Sequence, residues 1–187
     1  MKTSIFIAVL LTILISCNEP VEFKSYSIKG YIGLDQNVQD IEPITIKLYQ
    51  NDILIATSVA SEFEFNALKG GEDYTLVPES NEPSKNGMST LDLILLDNFI
   101  TGVGHYTPFE FIAADMNKDG VLDASDKDLL SSCILSSAGC SGHRFVTPDY
   151  SLEGAGHADQ ITFDNLSSNQ EVQFFGIKIG DISSQTH

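Results

Sequence analysis

DMNKDGVLDASD, residues 115–126, places an oxygen-bearing side chain at almost every second position. A twelve-residue calcium loop draws its oxygen ligands from positions 1, 3, 5, 7, 9 and 12 and turns sharply at a glycine in position 6. Asp115, Asn117 and Asp119 fall at positions 1, 3 and 5, and Gly120 falls at 6. Val121 at position 7 offers its backbone carbonyl, and Asp123 and Asp126 stand at 9 and 12. Leu122 at position 8 is the apolar residue that pins such a loop against a core. An oxygen-only set suits Ca²⁺, because the stretch has no thiol or imidazole to recruit zinc. Four carboxylates this close also repel one another, so a cation and local order are expected together. Asp126 replaces the usual glutamate at position 12, which shortens the closing ligand by one methylene. The plain alternative is an acidic turn in an acidic protein.

If the stretch is a calcium loop, it joins two helices, and the flanking patterns agree. Upstream, Ser89 or Thr90 can cap a helix carrying Leu91, Ile94, Leu95 and Phe99 that stops at Gly102. Thr107-Pro108 opens a shorter helix, with proline in the first turn where its missing N–H costs nothing. Downstream, Leu129, Leu130, Cys133 and Ile134 form one helical stripe. Asp92-Leu93-Ile94-Leu95-Leu96 and Asp126-Lys127-Asp128-Leu129-Leu130 start alike, each after a glycine loop, Asn86-Gly87 and Asp119-Gly120. The spacing predicts a duplicated loop–helix unit. In the first copy Asn81, Glu82, Asn86 and Asp92 offer oxygens without regular spacing. That leaves two readings, an irregular second cation site or a loop held by hydrogen bonds alone.

Before residue 80 the period is that of strands. Tyr26–Ile32 and Ile44–Tyr49 alternate, Asn51-Asp52 turns into Ile53–Val59, Phe63 and Phe65 alternate with acids, and Lys69-Gly70-Gly71 turns into Asp73–Val77. Five short strands predict a small antiparallel β-sandwich over residues 25–79. The tail returns to strand-like runs at Arg144–Val146, Gln160–Phe163 and Phe174–Ile179. The fold class expected is therefore α+β: a sandwich over 25–79, then a helical calcium-binding module with a β-like tail over 80–182.

The N-terminus reads as an address. In MKTSIFIAVLLTILISC, Lys2 supplies the positive start and Ile5–Ile15 an apolar run too short to span a bilayer comfortably. Leu14-Ile15-Ser16-Cys17 resembles a bacterial lipobox, so residues 1–16 are expected to be a lipoprotein signal peptide, with Cys17 acylated and 17–24 a tether. That places the protein on the bacterial outer membrane, lipid-anchored and facing either the periplasm or the outside. Cys133 and Cys140 can then form a disulfide in an oxidising compartment, or stay as two thiols. A continuous helix would separate them by about 10 Å, so a bridge requires the helix to end before Gly139.

Of the 187 residues, 26 are acidic and 10 basic, for a formal charge of −16. Such a surface repels the phosphates of nucleic acid and excludes electrostatic nucleic-acid binding. No G-x-S-x-G elbow, HExxH helix or P-loop is present, and His105, His143 and His157 are scattered, as are acids such as Asp149 and Glu153. A non-enzymatic protein is expected. Tyr26, Tyr31, Tyr49 and Phe63 could instead stack on sugars, which makes a glycan-binding accessory to polysaccharide utilisation the alternative.

Residues 80–182 resemble a type I dockerin, most closely the dockerin-like modules of Bacteroidetes secreted proteins. The resemblance is carried by NGMSTLDL at 86–93, IAAD at 112–115, RFVTPDY at 144–150 and GIKIGDI at 176–182. FNALKGGEDYTL at 65–76 is similar to carboxypeptidase-regulatory or Cna-B-type sandwiches. The dockerin resemblance implies calcium-dependent folding and docking to a protein partner of the cohesin type. Two departures, the irregular first loop and the β-like tail, leave the chain's own sandwich as the other partner for the module.

Overall fold

The computed structural model describes residues 23–34, 44–80, 85–153 and 159–185. The expected signal peptide and Cys17 lie outside the described residues, as do Asn81, Glu82 and His157. Five strands come first: β1 (Ser25–Leu34), β2 (Thr45–Gln50), β3 (Ile53–Val59), β4 (Glu62–Lys69) and β5 (Tyr74–Glu79). Three helices follow, α1 (Thr90–Ile100), α2 (Pro108–Ala114) and α3 (Ala124–Ser136). The chain then returns to β6 (His143–Val146), β7 (Ile161–Phe163) and β8 (Gln170–Lys178) and ends on a 3₁₀ turn at Ser183–Gln185. The class is α+β.

Local chemistry places these elements much as the sequence predicts. Asn51 and Asp52 both take positive φ, 47° and 65°, the mirror-image turn that matches the twist of a two-residue hairpin. Ser89, Thr107 and Asp123 cap the three helices, each closing a capping box with an acid three residues on. In α1, however, the expected stripe is displaced. Leu91 and Ile94 are about half exposed, whereas Asp92, Leu96 and Phe99 are buried. The buried carboxylate of Asp92 turns the helix so that 92, 96 and 99 face inward.

Two four-stranded sheets form, in the orders β4-β1-β8-β6 and β3-β2-β5-β7. Their inner faces share one core, with Ile28, Ile32, Phe63, Phe65, Phe145 and Phe174 from the first sheet against Ile46, Leu48, Tyr74, Leu76 and Ile161 from the second. This is a sandwich-like arrangement, and it corrects the expectation of a sandwich confined to 25–79. The tail strands are part of both sheets: β7 pairs with β5, while β8 lies between β1 and β6. The β1–β8 pairing is parallel, from Ile28 opposite Gln170 to Leu34 opposite Gly176, so the sheets are not purely antiparallel. A parallel neighbour needs a long crossover, and here the whole helical segment lies within it.

β8 also serves a second core. Its first half turns Val172 and Phe174 into the sandwich. Further along, Ile177 joins Leu96, Phe99, Ile112, Met116, Leu130, Val146, Ile179 and Ile182 in the helical core. Gly176, Ile177 and Lys178 are buried in succession, as expected where a strand is covered on both faces. Cys133 and Cys140 are bridged, with Cα atoms 4.8 Å apart. The geometry follows from α3 ending at Ser136 and from left-handed turns at Ser137 and Gly139.

Phe174 is fully buried at the centre of the strand that both cores depend on. Phe174→Ala should cost about 3–5 kcal/mol in urea unfolding. Leu135→Ala, at a position 83% exposed, should cost about 0.5 kcal/mol or less.

Candidate metal-binding loop

The loop 115–126 joins α2 to α3: Asp115 is the C-cap of α2 and Asp123 the N-cap of α3. Its side chains fold the backbone around themselves. Asp119 N–H donates to Oδ1 of Asp115 at 3.1 Å, and Gly120 N–H to Oδ2 at 3.0 Å. Asp119 N–H is shared with Asn117 Oδ1, and Val121 N–H donates to Asp119 Oδ1 at 2.8 Å. Asp126 closes the loop by accepting from Asn117 N–H at 3.3 Å and from Asp123 N–H at 3.0 Å. Gly120 takes φ of 80°, as position 6 requires. Met116 is buried and Leu122 packs against the helical core, so the loop is pinned from beneath.

The electrostatics are uneven. Asp115 and Asp126 are fully buried, and Asn117, Asp119 and Asp123 are exposed. Burial raises the Asp115 carboxyl above its ordinary pKa and the charge of Asp126 adds to that, against hydrogen bonds from Gly120 and Asp119. Two hydrogen bonds from Ser125 lower Asp123. Arg144 on β6 places a guanidinium nitrogen 3.8 Å from Asp115 Oδ2 and pairs with Asp159 at 2.9 Å. Sequence reasoning missed Arg144 as part of this site, because strand periodicity gives its face and not its distant neighbours. Arg144 is the one arginine in the sequence, which was the available signal.

Among the described residues, no group of three or more His, Cys, Asp or Glu side chains converges as a metal centre. The loop's carboxylate oxygens accept instead from backbone N–H groups, the Asn117 amide and the Ser125 hydroxyl. The donor chemistry still fits a hard cation: five oxygen-bearing side chains, the Val121 carbonyl, and two buried carboxylates whose mutual repulsion a cation would relieve.

The first loop is built differently. Asp92 is fully buried, and both of its oxygens are engaged. Oδ2 accepts from the Ser89 N–H and hydroxyl at 2.7 and 2.9 Å, and Oδ1 accepts from Ser183 N–H at 2.8 Å. Gly87 has φ of 86°, and a Cβ there would come within 2.1 Å of Asp181 Oδ2. Asp92 is thus a hydrogen-bonded anchor between α1 and the chain end. The internal echo is structural as well: caps Ser89 and Asp123, buried acids Asp92 and Asp126, and buried Leu96 and Leu130 all keep one offset.

The other candidates disperse. Tyr31, 43% exposed, lines an open groove of about 350 Å³ with Lys29, Glu62, Glu64 and Glu171, and Phe63, whose buried ring belongs to the sandwich core, lines it too. His105 is exposed between α1 and α2, and Glu153 is exposed beyond β6. His143 has its Nδ1 3.4 Å from Ser80 Oγ and its Nε2 buried without a hydrogen-bond partner. Burial, helped by the neighbouring charge of Lys178, lowers its pKa to about 4.

That shift has a defined sign. The unfolded chain takes up a proton on His143 near the ordinary value of about 6.5, while the folded chain resists until about 4. Stability should therefore fall as pH drops through that window, by up to about 3 kcal/mol from this residue. Urea unfolding at pH 7 and pH 4.5 should show a smaller acid loss in His143→Phe than in the parent chain.

The chain matches no protein-family model and no curated protein, so the chemistry of the loop itself carries the functional argument.

Proposed function

We propose that this chain is an exported, lipid-anchored and non-enzymatic lipoprotein whose helical module is ordered by calcium and serves protein docking, adhesion or assembly. The observation that carries the reading is the pair of fully buried carboxylates, Asp115 and Asp126, closing an oxygen-only loop. Asp115, Asn117, Asp119, Asp123 and Asp126 would hold the ion through side chains, and Val121 through its carbonyl. Bound there, Ca²⁺ supplies the positive charge that the buried pair lacks and ties α2 to α3. At the millimolar calcium outside cells such a site stays filled, which makes it a clasp and not a sensor.

Export is supported by the lipobox at 14–17 and by the Cys133–Cys140 bridge, which persists in oxidising compartments. The docking role is supported by apolar side chains left on the outer helical surface. Leu91 and Ile94 on α1 and Leu135 on α3 are 51%, 57% and 83% exposed. A cohesin-like protein is the partner class that the resemblance implies.

Scanning calorimetry of the full chain in excess Ca²⁺ and in chelator tests the metal reading. The expected result is a higher Tm with Ca²⁺, with the difference abolished in Asp119→Asn, whose side chain is exposed and outside the core. Equal Tm values in the two buffers would overturn it.

A further inference from the structure

The loop 115–126 meets a positive charge that comes from outside it. Arg144 reaches over from β6 with its side chain 15% exposed, and its Nη1 stands 3.8 Å from Oδ2 of Asp115, whose side chain is 1% exposed. That oxygen also accepts from Gly120 N–H, while Oδ1 accepts from Asp119 N–H. The rest of the guanidinium is committed elsewhere. Its Nε and Nη2 donate to Oδ2 of Asp159 at 3.1 and 2.9 Å, and the Asp159 side chain is 49% exposed. One arginine thus spans a buried carboxylate of the loop and a half-exposed one beyond it. Among the described residues, no other ion pair is made to a loop carboxylate.

We propose that Arg144 is a built-in counter-ion of this loop, which steadies Asp115 when no cation is bound and yields it, keeping Asp159, when calcium binds. The inference rests on the calcium reading above and concerns how tightly that ion is held. A buried carboxylate with no positive neighbour is costly. Burial already pushes the Asp115 carboxyl above its ordinary range and the charge of Asp126 adds to this, while Arg144 works against both.

The geometry favours exchange over a fixed clamp. At 3.8 Å the contact with Asp115 is an ion pair longer than a hydrogen bond, whereas both contacts with Asp159 are within hydrogen-bond range. Asp115 stands at position 1 of the loop, so a bound cation and the guanidinium would share one carboxylate. Two positive groups on one carboxylate repel, and each weakens the other's hold. What Arg144 adds to the empty loop it therefore takes from calcium affinity, since such coupling is reciprocal.

Melting and calcium titration calorimetry of the full chain test this on the parent, Arg144→Gln and Asp159→Asn. In chelator, Arg144→Gln should melt about 5 °C below the parent, and added Ca²⁺ should recover most of that loss. Its Ca²⁺ dissociation constant should be about tenfold lower than the parent's. Asp159→Asn should move the other way, to weaker binding, because Arg144 is then left with Asp115 alone. An arginine that only braces the fold would weaken binding when removed. Equal or weaker binding by Arg144→Gln, or equal or tighter binding by Asp159→Asn, would overturn the inference while binding by the parent upholds the calcium reading. No binding by the parent would overturn both. If Arg144→Gln fails to fold, the sign of the Asp159→Asn shift decides.

Discussion

The parallel pairing of β1 with β8 is the contact on which the rest of the structure depends. It brings the last strand of the chain beside the first, so everything between them closes into one long excursion. The fit is close: a Cβ on Gly30 would meet the Val172 carbonyl oxygen at 2.2 Å and the Phe63 ring at 2.8 Å. Any larger residue there would push β8 off β1. Because β8 fills the sandwich with Val172 and Phe174 and the helical core with Ile177, the two cores share a backbone. Backbone hydrogen bonds extend this joint, with Gly180 N–H donating to the Ala113 carbonyl of α2 and Ile179 N–H to Gly142.

The loop 115–126 hangs from this joint. α2, which leads into it, packs on β8, and Arg144, which faces Asp115, sits on the neighbouring strand β6. The loop's position is therefore set by the sheet, while its internal shape is set by its own aspartates. Lys127 pairs with Asp97 across α3 and α1, and the buried Asp92 reaches Ser183 at the chain end. These polar contacts tie α1 to α3 and to the last turn of the chain.

Much of this was legible in the sequence. Alternation gave the strands, and Ser89, Thr107-Pro108 and Asp123 marked the helix starts, because capping is a local matter of one side chain and the next turn. The acids of the loop were legible through spacing. What strand periodicity could not give is which strand lies beside which, so β6 and β8 were read as a tail and not as members of a sheet. For Asp92 the sequence leaves two readings open, a cation ligand or a residue of a hydrogen-bonded loop, because its partner Ser183 lies 91 residues away. Arg144 escaped notice because it meets Asp115 only through the β6–β8 pairing.

The central claim is that the sandwich and the helical layer, which we propose is ordered by calcium, form one cooperative unit through β8. Native-state hydrogen exchange of the full chain, followed amide by amide with and without chelator, tests it directly. The account predicts that amides of Ile28 and Ile32 in β1 and of Leu130 and Cys133 in α3 share one opening free energy, and that removing calcium lowers all of them together. Loosening of α3 while β1 keeps its protection would contradict it.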